Sequence, residues 1–232
     1  MKIGIMQPYF LPYIGYWQLM NAVDRYVVYD DVNFIKGGWI NRNRILIHGA
    51  PAYLNLPMLG ASPNLLIKEI RVNPDPRLAG KSLRTIRDAY AKAPYFSEVY
   101  PLMERILTCG ETSLSQFILN SFRVLTPYLG IGTELLLSSE LEKDCSLRAQ
   151  EKVISICTLL GGTEYYNAIG GQELYSREDF ERSGLSLHFL KTRPVEYPQF
   201  GGEFQSNLSI LDVMMFNSKE QIAQLLQQYD LV

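Results

Sequence analysis

A chain of 232 residues, 47% hydrophobic and 20% charged, hides roughly 70–75% of its unfolded-state surface on folding and needs neither a disulfide nor a metal to hold a core. Its formal net charge of -2 excludes a strong electrostatic drive toward nucleic acid. The apolar start is cut at once by Gln7-Pro8 and no apolar run approaches the length of a membrane helix, so a cytoplasmic chain with neither secretory leader nor membrane span is expected.

In chain order, Lys2 to Met6 reads as a buried first strand, and Pro8 and Pro12 enforce a loop behind it. Ile14, Trp17, Leu19, Met20 and Val23 then carry helical spacing up to Asp24, and Tyr26 to Tyr29 is a β-rich run. The polar, glycine-containing segment 33–43 holds Trp39, which is unusual for a passive loop; strands are expected at 44–47, 53–56 and 67–72. Beyond Pro74 and Pro76, three helical patterns run over 77–93, 97–109 and 113–129. A strand at 133–137, a helix over 146–160 ended by Gly161-Gly162, a strand at 164–167, a short helix at 177–182 and a strand at 185–190 continue the alternation. The tail from Ser209 is expected to be helical. This pattern predicts an α/β protein: a single domain over 1–232 with an open, mostly parallel sheet, right-handed crossovers and a helical insertion at 77–130.

Three loops that follow strands carry the candidate chemistry. A helix that begins behind a proline loop presents free N–H groups to an anion, which makes Gln7, Tyr9, Gly15 and Tyr16 binding candidates; Tyr9, Tyr13 and Tyr16 read equally as packing residues beside a tight turn. Asp30 and Asp31 fall at the carboxyl edge of the next strand, the usual ligand side of such a sheet, with Lys36, Trp39, Asn41, Arg42 and Arg44 close behind. Cations that hold phosphate, an indole that stacks, and paired carboxylates that orient a hydroxyl or hold Mg2+ make a nucleotide or nucleotide-sugar site, with Asp30, Asp31, Lys36 and Arg42 in the catalytic roles. A hairpin with capping aspartates and solvated cations has the same sequence. Ser138, Ser139 and Lys143 follow a further strand and suit phosphate, although serines capping a helix look alike. Ser209 followed by Asp212 fits a capping box. The cysteines Cys109, Cys145 and Cys157, without CxxC spacing, suit a reducing compartment; two histidines, His48 and His188, exclude a three-histidine metal site. If the loops share one parallel sheet, Gln7, Asp30 and Ser138 converge on one cleft, overhung by Lys36, Trp39 and Arg42.

Taken together, Gln7-Pro8-Tyr9, Pro12, Gly15-Tyr16, Asp24, Asp30-Asp31, Lys36, Trp39, Asn41-Arg42, Tyr197 to Gln199, Leu208-Ser209, Asp212 and Phe216-Asn217 resemble the WbqC-like family nearly end to end. The resemblance implies a bacterial protein of O-antigen or other surface-polysaccharide biosynthesis, with Gln199 among the ligand-binding residues and polysaccharide-assembly enzymes as partners. It leaves open a transferase of acyl, aminoacyl or nucleotidyl groups and a non-catalytic carbohydrate- or nucleotide-binding module. More distantly, Phe10 to Tyr16 and Ser138 to Lys143 resemble the phosphate loop and the Ser-Ser-Thr-x-x-Arg element of HxGH-type nucleotidyltransferases, implying a nucleotidyltransferase-like (HUP/Rossmann-like) sheet. Both histidines of that motif are absent, Tyr16 standing in place of the second.

Overall fold

A computed structural model describes residues 1–232. Its elements are β1 (Lys2–Met6), α1 (Ile14–Asn21), β2 (Arg25–Val28), β3 (Arg42–Ile47), β4 (Ala50–Asn55), β5 (Met58–Leu59), β6 (Arg71–Val72), α2 (Pro76–Tyr90), α3 (Phe96–Leu107), α4 (Leu114–Leu129), β7 (Glu134–Leu137), α5 (Ala149–Leu159), β8 (Glu164–Ala168), α6 (Arg177–Arg182), β9 (Ser186–Thr192), α7 (Ile210–Phe216), α8 (Lys219–Leu225) and β10 (Tyr229–Leu231). No helix is long and apolar enough to cross a membrane.

The main sheet has the order β10-β9-β8-β1-β2-β7. Every pairing is parallel except β10 on β9. Numbered among themselves, the five parallel strands run 3-2-1-4-5, the order in which the chain reverses direction beside the first strand and opens a crevice at the carboxyl edge. Side-chain alternation divides the interior between two faces. Ile3 and Ile5 of β1, Val27 of β2 and Tyr165 of β8 join α5 and α6 in the smaller core, while Tyr26, Val28 and Tyr166 face the larger one with α1.

The three helices inserted between β2 and β7 pack into that larger core: Phe122 of α4 meets Trp17 of α1 edge-on at 5.3 Å, and Phe117 meets Phe10 at 6.3 Å. Two local expectations are corrected. The strand expected over 67–72 begins instead as a 3-10 turn, Ile67–Glu69, because the Leu66 N–H donates to Glu69 Oε2 at 2.7 Å and folds the chain back; only Arg71–Val72 forms a strand. The helical tail ends in an edge strand, β10, whose pairing to β9 is a long-range event without a local signal.

Helix α1 is buried along its length from Ile14 to Met20. A Cβ on Gly15 would stand 2.5 Å from both Thr192 Oγ1 and the Tyr13 ring. Gly15→Ala gains about 1 kcal/mol of helix propensity but overpacks a stiff contact, which costs about 1–3 kcal/mol. The clash is expected to win, so that urea denaturation shows a net loss of stability; a net gain would place α1 farther from β9 than described.

Candidate functional site

The carboxyl edge of the sheet is organised by the two aspartates behind β2. Asp30, 1% exposed, accepts from the Ser139 N–H at 2.9 Å and the Ser139 hydroxyl at 2.7 Å, joining the ends of the neighbouring strands β2 and β7. Asp31 Oδ2 is shared by two ammonium groups, Lys143 at 2.9 Å and Lys152 at 3.0 Å, and all three side chains are at least nine-tenths buried. Lys152 also donates to the Asp31 carbonyl at 3.0 Å, and Lys143 to the Ser138 carbonyl. Burial alone raises the Asp31 pKa, but the nearby Ser138 hydroxyl and the two lysines outweigh it and hold the carboxyl below the ordinary aspartate value. Asp31 Oδ1 and Ser138 Oγ nevertheless lie outside hydrogen-bonding geometry with any partner.

The expected single cleft is divided in two, with no lining residue in common. A cationic cleft of about 240 Å³ holds Tyr29, Asp31, Lys68, Arg148, Ala149 and Lys152. An aromatic cleft of about 270 Å³ is lined by Tyr9, Tyr13, Trp39, Asn43, Arg44 and Asn207. In the cationic cleft Tyr29 packs with the smaller core and Val32 with the larger, whereas Tyr9 and Tyr13 of the aromatic cleft pack with the larger.

The aromatic cleft is assembled from three distant segments. The Phe10 N–H donates to the Trp39 carbonyl at 3.2 Å, and the Asn43 amide donates to the Phe10 and Leu11 carbonyls at 3.2 and 2.8 Å, which seats the Trp39 loop on the proline loop. The Arg44 guanidinium lies 5.8 Å from the Trp39 ring centre and donates to the Asn207 carbonyl at 3.3 Å, while its Nε is buried without an acceptor. Asn207 is delivered by the strap between β9 and α7, which Asp212 clamps. That carboxylate accepts from the Tyr90 hydroxyl (2.7 Å), the Tyr197 hydroxyl (2.8 Å) and the Gln199 amide (2.7 Å). Burial raises the Asp212 pKa despite these three donors.

The remaining expectations sort by what each side chain touches. Gly15 and Tyr16 serve packing: Tyr16 is 2% exposed and its hydroxyl donates to the Gln7 carbonyl at 2.9 Å, so the start of α1 is no open anion site. The Gln7 amide is half-buried, makes no hydrogen bond within the protein and lines neither cleft. Arg42 does not overhang the site; it donates to the Gly37 and Gly38 carbonyls, lies 4.5 Å from the Tyr53 ring centre and closes its own loop, leaving Arg44 as the cation of the aromatic cleft. Lys36 is exposed and lines neither cleft. Asn41 ties β3 to Leu56, and Gln199 spends its amide on Asp212 and Gln205. Ser209 caps α7 through the Leu211 N–H at 3.2 Å, but the capping box is absent because Asp212 turns to the tyrosines.

The Asp30-Asp31 pair does not fit Mg2+: one carboxylate is taken by Ser139 and the other by two ammonium groups that would repel a dication. Lys152 escaped the sequence reading although a signal existed, since it precedes the core residue Ile156 by four and shares its buried face. Cys157 is a core thiol that burial pushes up to about 12.

Residues 7–224 match the model of the WbqC-like protein family. The chain is also 26% identical over 219 residues to "Uncharacterized protein Rv1507c" of Mycobacterium tuberculosis, covering 93% of each. No solved structure gives a significant match.

Because the folded pKa of Asp31 lies below the unfolded value of about 3.9, its contribution to stability is fully present above about pH 4 and is lost as pH falls through the folded value. Asp212, with a raised folded pKa, works in the opposite sense and costs stability as pH rises from the unfolded value through its own. Asp31→Asn leaves two buried ammonium groups uncompensated and is expected to cost about 3–5 kcal/mol at pH 7. Urea unfolding of both proteins at falling pH should show the gap closing below about pH 4; a gap independent of pH would mean that the charge is not what matters.

Proposed function

The chain belongs to the WbqC-like protein family, and from that premise we propose that it serves bacterial surface-polysaccharide biosynthesis as a transferase acting on a nucleotide or nucleotide-sugar, held in the aromatic cleft. The observation that carries this reading is the meeting of Tyr9, Tyr13 and Trp39 with Arg44 in one recess at the carboxyl edge of the sheet. Flat aromatic walls stack on a sugar face or a base, and the Arg44 guanidinium, which gives one N–H of Nη2 to the Asn207 carbonyl, supplies a cation for a phosphate oxygen. A 3-2-1-4-5 strand order is a frequent scaffold for such ligands, which supports the nucleotidyltransferase-like reading of the sheet. Among acyl, aminoacyl and nucleotidyl transfer, the HxGH form of the last has least support, because Tyr16 is buried where that motif needs a charge-stabilising side chain.

A non-catalytic carbohydrate- or nucleotide-binding role within a polysaccharide-assembly complex is favoured by one observation. Asp30 and Asp31, the carboxylates expected in catalytic roles, are spent on internal bonds, and neither lines the aromatic cleft. Both roles require the same cleft, and turnover separates them: incubation with nucleotide-sugars and activated acyl, aminoacyl or nucleotidyl donors yields a product of altered mass only for the transferase.

At a hundredfold excess over Kd, a nucleotide-sugar should stabilise the protein by about 2.7 kcal/mol, a rise of roughly 5–10 °C in Tm for a chain of this size. Trp39→Ala should abolish most of that rise, since base or sugar stacking on an aromatic ring is worth about 1–3 kcal/mol. A panel of UDP-, GDP-, CMP- and dTDP-sugars that leaves Tm unmoved would overturn the assignment.

A further inference from the structure

The aromatic-cleft reading makes no use of the cationic cleft, whose charge is unbalanced. Lys68, Arg148 and Lys152 line it against a single carboxylate, Asp31, leaving two positive charges, and the Lys143 ammonium stands behind on the same carboxylate. Asp144, hydrogen-bonded to Ser146 and outside the lining, attracts Arg148 from the solvent side and offsets part of its charge, so that a net positive lining remains.

Two details show donors left over for a ligand. The Lys152 side chain is 7% exposed, and its ammonium gives two of its three N–H groups to Asp31, at 3.0 Å to Oδ2 and 3.0 Å to the carbonyl. Its one further partner is the Tyr29 ring, whose centre lies 4.8 Å away, and a ring face is a weaker partner for an ammonium than an anionic oxygen. Helix α5 also opens into the lining at Ala149, with Arg148 at its N-cap and no side chain capping the first turn.

We propose that the cationic cleft is a binding site for the phosphate group of a phosphorylated metabolite, separate from the aromatic cleft. A phosphate monoester carries nearly two negative charges and three acceptor oxygens, which match the surplus at the lining; a carboxylate supplies one charge and fewer acceptors. Arg148 spends one nitrogen, Nη1, on the Cys145 and Leu147 carbonyls; its remaining N–H groups and exposed Lys68 would close on the outer oxygens while Lys152 and the α5 amides take the inner ones.

The experiment is a calorimetric titration of the full chain with inorganic phosphate, methyl phosphate and acetate, none of which carries a base or a sugar ring for the aromatic cleft to stack on. Saturable binding of both phosphates is expected, with acetate at least about tenfold weaker. Arg148→Ala and Lys68→Ala, both at exposed positions, should each weaken phosphate about tenfold, the loss of one charge-assisted hydrogen bond. Arg105→Ala on α3 and Trp39→Ala should change nothing. Absence of saturable phosphate binding at millimolar concentration, equal binding of acetate, or indifference to both cleft variants would overturn the proposal. Loss of phosphate binding in Trp39→Ala would overturn its separateness. Failure of nucleotide-sugars to bind the aromatic cleft would leave these results as they stand.

Discussion

The join between β2, the turn beyond β7 and α5 at the carboxyl edge of the sheet hangs on the two aspartates at the end of β2. Asp30 fastens that strand end to the turn beyond β7 through Ser139, and Asp31 gathers Lys143 from the same turn and Lys152 from α5. Their backbone is engaged as well: the Lys68 N–H donates to the Asp30 carbonyl and the Ile67 N–H to that of Val32, so the segment ahead of β6 is laid along the chain as it leaves the sheet. Buried ion pairs seldom add net stability over apolar replacements, but breaking one is expensive. The network therefore works as a locator, holding four separate segments in one arrangement.

Two clefts with different linings share the sheet edge. The one beside α5 is cationic; the other, beside α1, is aromatic, with one guanidinium. The second cleft depends on the Asp212 clamp, which draws α2 through Tyr90 and the strap through Tyr197 and Gln199 onto α7, bringing Asn207 to Arg44. The two buried carboxylates are stabilised differently. Asp31 meets cations and is held below the ordinary aspartate value; Asp212 meets only neutral donors, which do not fully offset its desolvation.

Much of this was legible from residue order. Alternating short apolar runs and helical patterns, with Pro8, Pro12 and Gly161-Gly162 as punctuation, identify the strand and helix succession, because periodicity and breaker residues act over a few neighbours. The order of recognisable blocks from Gln7 to Asn217 likewise points to the family without coordinates. Residues 67–69 and β10 were misjudged or missed because a side-chain bond to Glu69 and a pairing with β9 override or lack a local pattern.

Tertiary structure alone decided which polar side chains face a ligand. Arg42 and Arg44 are two residues apart on one strand face, yet one closes a loop through the carbonyls of Gly37 and Gly38 and the other meets Trp39 and Asn207. Asp30, Asp31, Ser139 and Gln199 have the residue types of a binding site and spend them on one another or on the scaffold. The sequence by itself determined the order of elements and the residue types at the carboxyl edge, since both follow from local periodicity and from each loop's place after its strand. Whether a donor or acceptor remains free depends on partners far along the chain, 121 residues away for Lys152 and Asp31 and 163 for Arg44 and Asn207, and a hydrogen bond of about 3 Å between such residues is set only when the sheet and its helices have packed.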